Sequence, residues 1–184
     1  MPLRLLLALT LLLGAPLTGA AEEPRRATPI SMVHSDTRAL DLAPGARVGW
    51  HEPSIMLFED ERFANQPISG VLRGEVARAL TQRGLTIVEE GEDSDYLVGM
   101  LLAMTDTVSD DEILQRFGVL PGLVIHGEAE EFEKGTIVLT LLNPVTLAME
   151  WRVVVQGFAN LESTPQERRA RVRHLVDSML APLP

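Results

Sequence analysis

One segment near the C-terminal end, residues 134–152, constrains the fold of this chain more than any other. Two runs rich in β-forming residues flank the dipeptide Asn143-Pro144, which is typical of a chain reversal. The segment therefore predicts a long β-hairpin, and a sheet has to form around it.

Packing predicts the register of this hairpin. One face is fully apolar if it carries Ile137, Leu139, Leu141, Leu147, Met149, Trp151 and Val153, while the reverse face carries Thr136, Val138, Thr140, Ala148, Glu150 and Arg152. This arrangement needs an odd loop, most simply the five residues 142–146 around a type I turn beginning at Asn143. A two-residue loop would bring Glu150 and Arg152 onto the apolar face. Burying a charge costs more than the roughly 1.5–3 kcal/mol gained per buried aliphatic side chain, so we expect the odd loop unless both faces are covered.

Two other segments have the apolar spacing of amphipathic helices. The first carries Ile68, Leu72, Val76, Ala79 and Leu80 on one side and Arg73, Glu75, Arg78 and Gln82 on the other, with Asn65 as the predicted N-cap and Gly84 as the predicted C-cap. The last helix begins with the capping box Thr164-Pro165-Gln166-Glu167 and has an apolar stripe of Val172, Leu175, Val176 and Met179. Both helices are expected to cover the apolar face of the sheet.

The remaining pattern completes the architecture. Strands are predicted over 30–34, 46–51, 85–88 and 96–104, the last in the middle of the sheet because its apolar run is unbroken, and a loop is predicted over 52–65. We predict an α+β fold, with a mixed, largely antiparallel sheet and two amphipathic helices packed on one face. Residues 29–184 are expected to form a single domain with a long irregular insertion at 105–133, in which Ser109 and Glu112 predict one capped helical turn.

The N-terminal residues predict export. Arg4, the apolar run 5–13 and the small residues up to Ala21 have the three parts of a secretory signal peptide, with cleavage after Ala20 or after Ala21 left open. Residues 22–28 are then a flexible leader. No segment has the eighteen or more apolar residues of a transmembrane helix, and the absence of Cys argues against both a lipid anchor and disulfides. We expect a periplasmic protein that is soluble after removal of residues 1–21.

The charge balance excludes some classes of partner. The chain has 16 basic and 26 acidic residues, so removal of Arg4 leaves a net charge near −11. Nucleic acids and anionic membrane surfaces both select clustered positive charge, and neither is expected as a partner. The basic cluster of the last helix consists of Arg168, Arg169, Arg171, Arg173 and His174, which is interpreted as a solvated face or as a docking surface for an acidic partner.

Several segments together resemble a known family. They are Lys134-Gly135-Thr136 through Trp151-Arg152, the helix end Gln82-Arg83-Gly84 followed by Asp93-Ser94-Asp95-Tyr96-Leu97-Val98, the early aromatic Trp50, and the terminal helix running into a proline. The chain resembles the bacterial domain-of-unknown-function 4136 family. The resemblance implies an exported envelope protein, in many members a lipoprotein, with no established activity or site. This chain departs from the pattern in lacking a lipidation cysteine and in having Asn143 where an acid is common.

No group of residues predicts a catalytic, cofactor or metal site. The histidines His34, His51, His126 and His174 lie in separate segments, and the acidic patches 106–112 and 128–133 lack the ligand spacing of a calcium loop. Adjacent acids such as Glu89 and Glu90 are typical of a turn, and no Gly-x-Ser-x-Gly motif is present. Trp151 is interpreted as a core residue, with a ligand platform as the alternative. An enzyme is not expected.

Two functions fit these observations. The first is a non-enzymatic periplasmic accessory protein that binds an envelope protein through a sheet edge, through the insertion 105–133 or through the arginine face. The alternative is a carrier of a small apolar or lipidic ligand held between sheet and helices, lined by the adaptable side chains of Met100, Met104, Met149 and Met179.

Overall fold

The computed structural model describes residues 30–35, 40, 42–58, 68–104, 108–123, 132–160 and 163–183. It contains six strands and three helices in these ranges, in the order β1 (Ile30–His34), β2 (Arg47–Phe58), α1 (Ile68–Gln82), β3 (Thr86–Ile87), β4 (Tyr96–Met104), α2 (Asp110–Phe117), β5 (Phe132–Leu142), β6 (Met149–Asn160) and α3 (Pro165–Leu180). No helix within these ranges is long and apolar enough to cross a bilayer. The predicted signal peptide 1–21, the leader 22–28 and the Asn65 cap lie outside the described residues.

The strands form one mixed sheet in the order β1-β6-β5-β4-β2-β3. Neighbours from β1 to β4 are antiparallel, whereas β2 runs parallel to both β4 and β3. The predicted α+β class and mixed sheet are confirmed. Strand β4 lies inside the sheet as expected, and its side chains are buried on both faces from Val98 to Met104, which explains why its sequence does not alternate.

The hairpin of β5 and β6 has the predicted faces over most of its length. Leu139 pairs with Val153 and Leu141 pairs with Trp151, and all four side chains are buried under the helices. The predicted loop is wrong, because Leu142 pairs with Met149 and leaves six residues, 143–148, in the turn. A register shift after Leu141 absorbs the difference and moves Met149 to the opposite face of the sheet.

Two helices cover one face of the sheet, as predicted. The buried residues of α1 and α3 join the main core cluster together with Val98, Leu139 and Trp151. The capping box of α3 is present, since Thr164 accepts a hydrogen bond from the Glu167 N–H and the Glu167 carboxylate accepts one from the Thr164 N–H. Gly84 has φ +82°, which gives α1 the left-handed cap expected there.

A third helix lies on the opposite face. The capped turn predicted from Ser109 and Glu112 is present and extends to the eight residues of α2, ending at Gly118 with φ 68°. Its side chains Ile113 and Phe117 pack on Leu101, Val138 and Val154 in a second, smaller core. The hairpin is therefore covered on both faces. The predicted register assumed that only one face is buried, so that argument does not apply to the whole hairpin.

Strand β2 is longer than predicted. It continues from Arg47 through residues 52–58, where a loop was expected, and a register shift lies between Trp50 and Ile55. Glu52 and Pro53 fall inside that irregular stretch, and both are exposed. A charged residue followed by a proline is typical of a loop, which is why the sequence predicts one here. A bulged edge strand tolerates both residues, because it does not need every N–H for pairing.

Candidate functional site

A buried carboxylate connects the two helices that cover the main core. Glu75 of α1 has a side chain that is only 3% exposed, and it binds three guanidinium groups. Arg78 donates to it from the same helix at 2.6 Å, while Arg173 donates from α3 through Nε at 3.0 Å and Nη2 at 3.1 Å. Arg169 adds a longer contact of 3.3 Å through Nε. The prediction that Glu75 lies on the solvent side of its helix is wrong.

This cluster determines the protonation of Glu75. Hydrogen bonds from Arg173, and to a smaller degree from Arg78 and Arg169, lower its pKa from 4.5 to about 2 against the opposing effect of burial. The same contacts raise the pKa of Arg173, and Asp177 and Glu75 together raise that of Arg78. The carboxylate is therefore charged throughout the neutral range and holds α1 against α3.

The arginine face of α3 is consequently divided. Arg169 and Arg173 are partners of Glu75 within the chain, and Arg78 of α1 reaches across to Asp177 of α3 at 2.5 Å. Part of this face therefore already binds an acidic residue of the same chain, Glu75. Arg168 and Arg171 instead line a cavity at the end of the sheet.

The insertion is attached to the second face of the sheet by a polar network. Lys134, the only lysine of the chain, donates to the Asp110 carboxylate at 2.7 Å, and the buried Gln156 side chain donates to the same carboxylate at 2.8 Å. The Gln156 carbonyl oxygen accepts from the Leu123 N–H at 3.1 Å. Asp110 begins α2 and Leu123 lies after it, so one strand residue binds both ends of the described part of the insertion.

A small cavity lies between α3 and the end of the sheet where β4 finishes and β5 begins. Its volume is about 90 Å³, and its lining is almost entirely apolar, with Leu102, Ile137 and Val155 from the sheet and Val172 and Leu175 from α3. It is open to solvent on one side.

Two of the four methionines that the carrier hypothesis places around a ligand are packed in the core. Met100 and Met179 are 2% and 0% exposed and belong to the packed core, so they do not line a hollow as the carrier hypothesis expected. Met104 lines the end cavity. Met149 lies on the other face, beside an open groove of about 370 Å³ that also contacts His51, Arg116 and Leu147.

One edge of the sheet is open over most of its length. Only Arg47 and Val48 of β2 pair with β3, and the described residues provide no other strand on that side. Beyond the irregular stretch, the strand ends with Leu57 and Phe58, which are 40% and 38% exposed. A hydrophobic, unpaired edge is a surface to which another strand can bind.

The other candidates from the sequence are not brought together. His34, His51 and His174 lie on β1, β2 and α3, His126 lies outside the described residues, and the described residues contain no metal-ligating group of three or more His, Cys, Asp or Glu side chains. In the acidic patches, Glu112 caps α2, and residues 106–107 and 128–131 are outside the described ranges. Glu89 and Glu90 lie in a turn, as expected. Trp151 is 1% exposed and is a core residue, not a platform.

The Glu75 cluster was missed although the sequence contains a sign of it. Glu75 follows Leu72 by three positions and precedes Ala79 by four, so it lies within the apolar stripe of α1. An acid in such a stripe needs a cationic partner, and the arginines of α3 were the available ones. The network around Gln156 gave no comparable sign, because it depends on a pairing over 46 residues.

Comparison with solved structures places the fold beside that of an oligomeric protein. The PelC dodecamer from Paraburkholderia phytofirmans is 12% identical, with a TM-score of 0.51, and the match covers 84% of this chain and 96% of that one. A DUF330-family protein from Xanthomonas campestris is 11% identical with a TM-score of 0.44, covering 76% and 86% of the two chains. No curated protein matches the chain. At these identities the likeness to PelC shows the fold alone.

The family resemblance seen in the sequence is confirmed by a family model. The model of the domain of unknown function DUF4136 matches residues 37–184, which includes every described helix and every described strand except β1. The chain therefore belongs to the DUF4136 family.

Proposed function

We propose that this protein is a non-enzymatic accessory protein of the periplasm that acts through contacts with envelope proteins. The observation that carries the proposal is the open outer edge of β2, with the exposed side chains of Leu57 and Phe58 at its end. Backbone groups of an unpaired edge bind a strand from a partner, and the exposed side chains add apolar contact.

The other two surfaces considered from the sequence support this role less well. Arg169 and Arg173 already bind Glu75, and α2 is attached to Lys134 and Gln156, so both surfaces are engaged within the chain. On the outer side of β2, strand pairing among the described residues ends after Val48. A second copy of the chain is the first partner to test, because PelC, which has a similar fold, forms a dodecamer.

The test places a charge on the edge. Leu57→Glu should abolish self-association measured by light scattering after size-exclusion chromatography, and it should remove the crosslinked partner obtained from intact cell envelopes. Ile30→Glu is the matched control, because Ile30 is 43% exposed on β1, the strand at the opposite edge of the sheet. A protein that is monomeric at high concentration and yields no crosslink sensitive to Leu57→Glu would contradict the proposal.

A second role, as carrier of a small apolar ligand, is favoured by the cavity of about 90 Å³ at the end of the sheet. Native mass spectrometry of the freshly purified protein tests it directly. A retained small molecule supports the carrier role, and a spectrum of the bare chain alone counts against it.

A further inference from the structure

The end cavity exists because the layer of large side chains under α3 stops there. On the face of β6 that meets the helices, Trp151, Val153 and Val155 are followed by Gly157. On β5, Ile137 is preceded by Gly135, and the two glycines are paired across the strands. Neither β5 nor β6 therefore contributes a side chain at this pair, and α3 bridges a space beside Met104 that a larger residue would fill.

The lining of this cavity includes two basic side chains. Arg168 and Arg171 both line it, and their spacing of three residues places them on the same side of α3. None of the described residues that line the cavity is acidic. Arg171 is partly buried, and this burial lowers its pKa, so an anion bound there would offset the loss of solvent around the guanidinium group.

The two arginines also make other interactions within the chain. A guanidinium group has five N–H donors in a planar fork, so it can bind a carboxylate or phosphate oxygen in addition to a partner that it already has. The nearby Ser163 adds a further polar group to the lining. An apolar cavity with donors on one side suits a molecule with one apolar and one anionic end.

We infer that the cavity between α3 and the Gly135–Gly157 pair binds the alkyl chain of an anionic, single-chain amphiphile whose head group contacts Arg168 and Arg171. The volume of about 90 Å³ is smaller than the roughly 150 Å³ that holds a benzene ring, so it accommodates only a short part of one flexible alkyl chain. The inference rests on the carrier role proposed above and specifies its ligand. The head group is a carboxylate, as in a free fatty acid, or a phosphate, as in a lipid fragment.

Calorimetric titration with four ten-carbon probes tests the inference. Decanoate and decyl phosphate carry the two anionic head groups, decanol carries none, and decyltrimethylammonium carries the opposite charge. We expect at least one anionic probe to bind at one site at least tenfold more tightly than decanol, and decyltrimethylammonium not to bind. The stronger of the two anions identifies the source of the natural ligand. Shortening the chain should weaken binding about fourfold per methylene group removed from the cavity.

Two variants locate the site. Arg171→Gln should abolish the preference for the anionic probes and leave decanol binding unchanged, whereas Arg116→Gln on the opposite face should change neither. Gly135→Ala should weaken both decanol and decanoate, because the added methyl group enters the cavity. It should not unfold the protein, since its Cβ would lie 3.5 Å from the Met104 sulfur, an ordinary contact. Gly74→Ala on α1 is the matched control, since nothing lies within 4 Å of its added methyl group.

The possible failures are distinguishable. Equal binding of decanol and both anions would overturn the anionic assignment and leave an apolar carrier. The absence of binding by every probe would remove the carrier role as well. Binding that neither Arg171→Gln nor Gly135→Ala changes would place the site elsewhere and overturn the inference.

Discussion

Replacing Glu75 by Gln should remove a pH-dependent contribution to the stability of the protein. The native pKa of Glu75 is about 2, compared with 4.5 for the unperturbed group. A difference of about 2.5 units corresponds to about 3 kcal/mol at 1.36 kcal/mol per unit. The Glu75 side chain is only 3% exposed, but those of Arg169 and Arg173 are 67% and 52% exposed, so solvent screening reduces this value.

The sign follows from the direction of the shift. Because folding lowers the pKa, the unfolded chain takes up a proton first as the pH falls. The contribution of Glu75 is fully present above about pH 4.5 and is lost as the pH falls to about 2. Glu75→Gln should therefore be less stable than the parent by up to about 3 kcal/mol at neutral pH and nearly equal to it near pH 2.

Urea unfolding at a series of pH values, followed by tryptophan fluorescence, measures this difference. Glu90→Gln, in an exposed turn, is the control and should retain the pH dependence of the parent. Arg173→Gln should lower the stability at neutral pH and flatten the same slope, because Arg173 makes the largest contribution to the shift. If Glu75→Gln and the parent had parallel stability profiles between pH 2 and 7, the carboxylate would not be the charged centre of this cluster.

Substitutions at three further positions test other parts of the fold. Trp151→Ala should cost about 3–5 kcal/mol in urea unfolding, and Trp151→Phe should cost less, because the buried indole N–H has no acceptor among the described residues; equal losses would contradict this. Lys134→Met should speed hydrogen exchange in residues 110–123 and leave β6 protected, since Lys134 binds the start of α2; uniform protection in the variant would show that this ion pair does not hold the insertion. Gly74→Ala should stabilise the exposed side of α1 by about 0.5–1 kcal/mol in thermal unfolding, and a lower melting temperature would reveal an unrecognised contact.

The predictable parts of this fold are those in which local chemistry and burial agree. The capping box at Thr164, the left-handed cap at Gly84 and the unbroken apolar run of β4 each have a local cause, and each was found in sequence. The hairpin register followed from the apolar face alone up to Leu141, where a bulge next to the turn changes the pairing and moves Met149 to the opposite face. Bulges of this kind have no characteristic sequence, so the face on which Met149 lies was not predictable.

The parts that failed depend on contacts between distant segments. The extension of β2 through Pro53 is possible because its parallel partner β4 has a free side, which sequence near Pro53 does not reveal. The second core under α2 forms between residues far apart in sequence, such as Ile113 and Val154. Of the candidate sites, only the arginine cluster of α3 was visible in sequence. The sequence could not show that some of these arginines bind Glu75 and others line the end cavity, because this depends on where α1 packs.

The arginines of α3 therefore have two roles, one in packing the helix and one in lining the end cavity. An acidic chain with few lysines would ordinarily leave its arginines to surface ion pairs of small value. Here Arg169 and Arg173 neutralise a buried carboxylate and hold α3 in place. The same contacts fix the rotation of the helix, and this rotation sets Arg168 and Arg171 beside the cavity floored by Gly135 and Gly157. Loss of Glu75 should then weaken binding of an anionic chain at the far side of α3, because the helix that carries both arginines would no longer be held in one orientation.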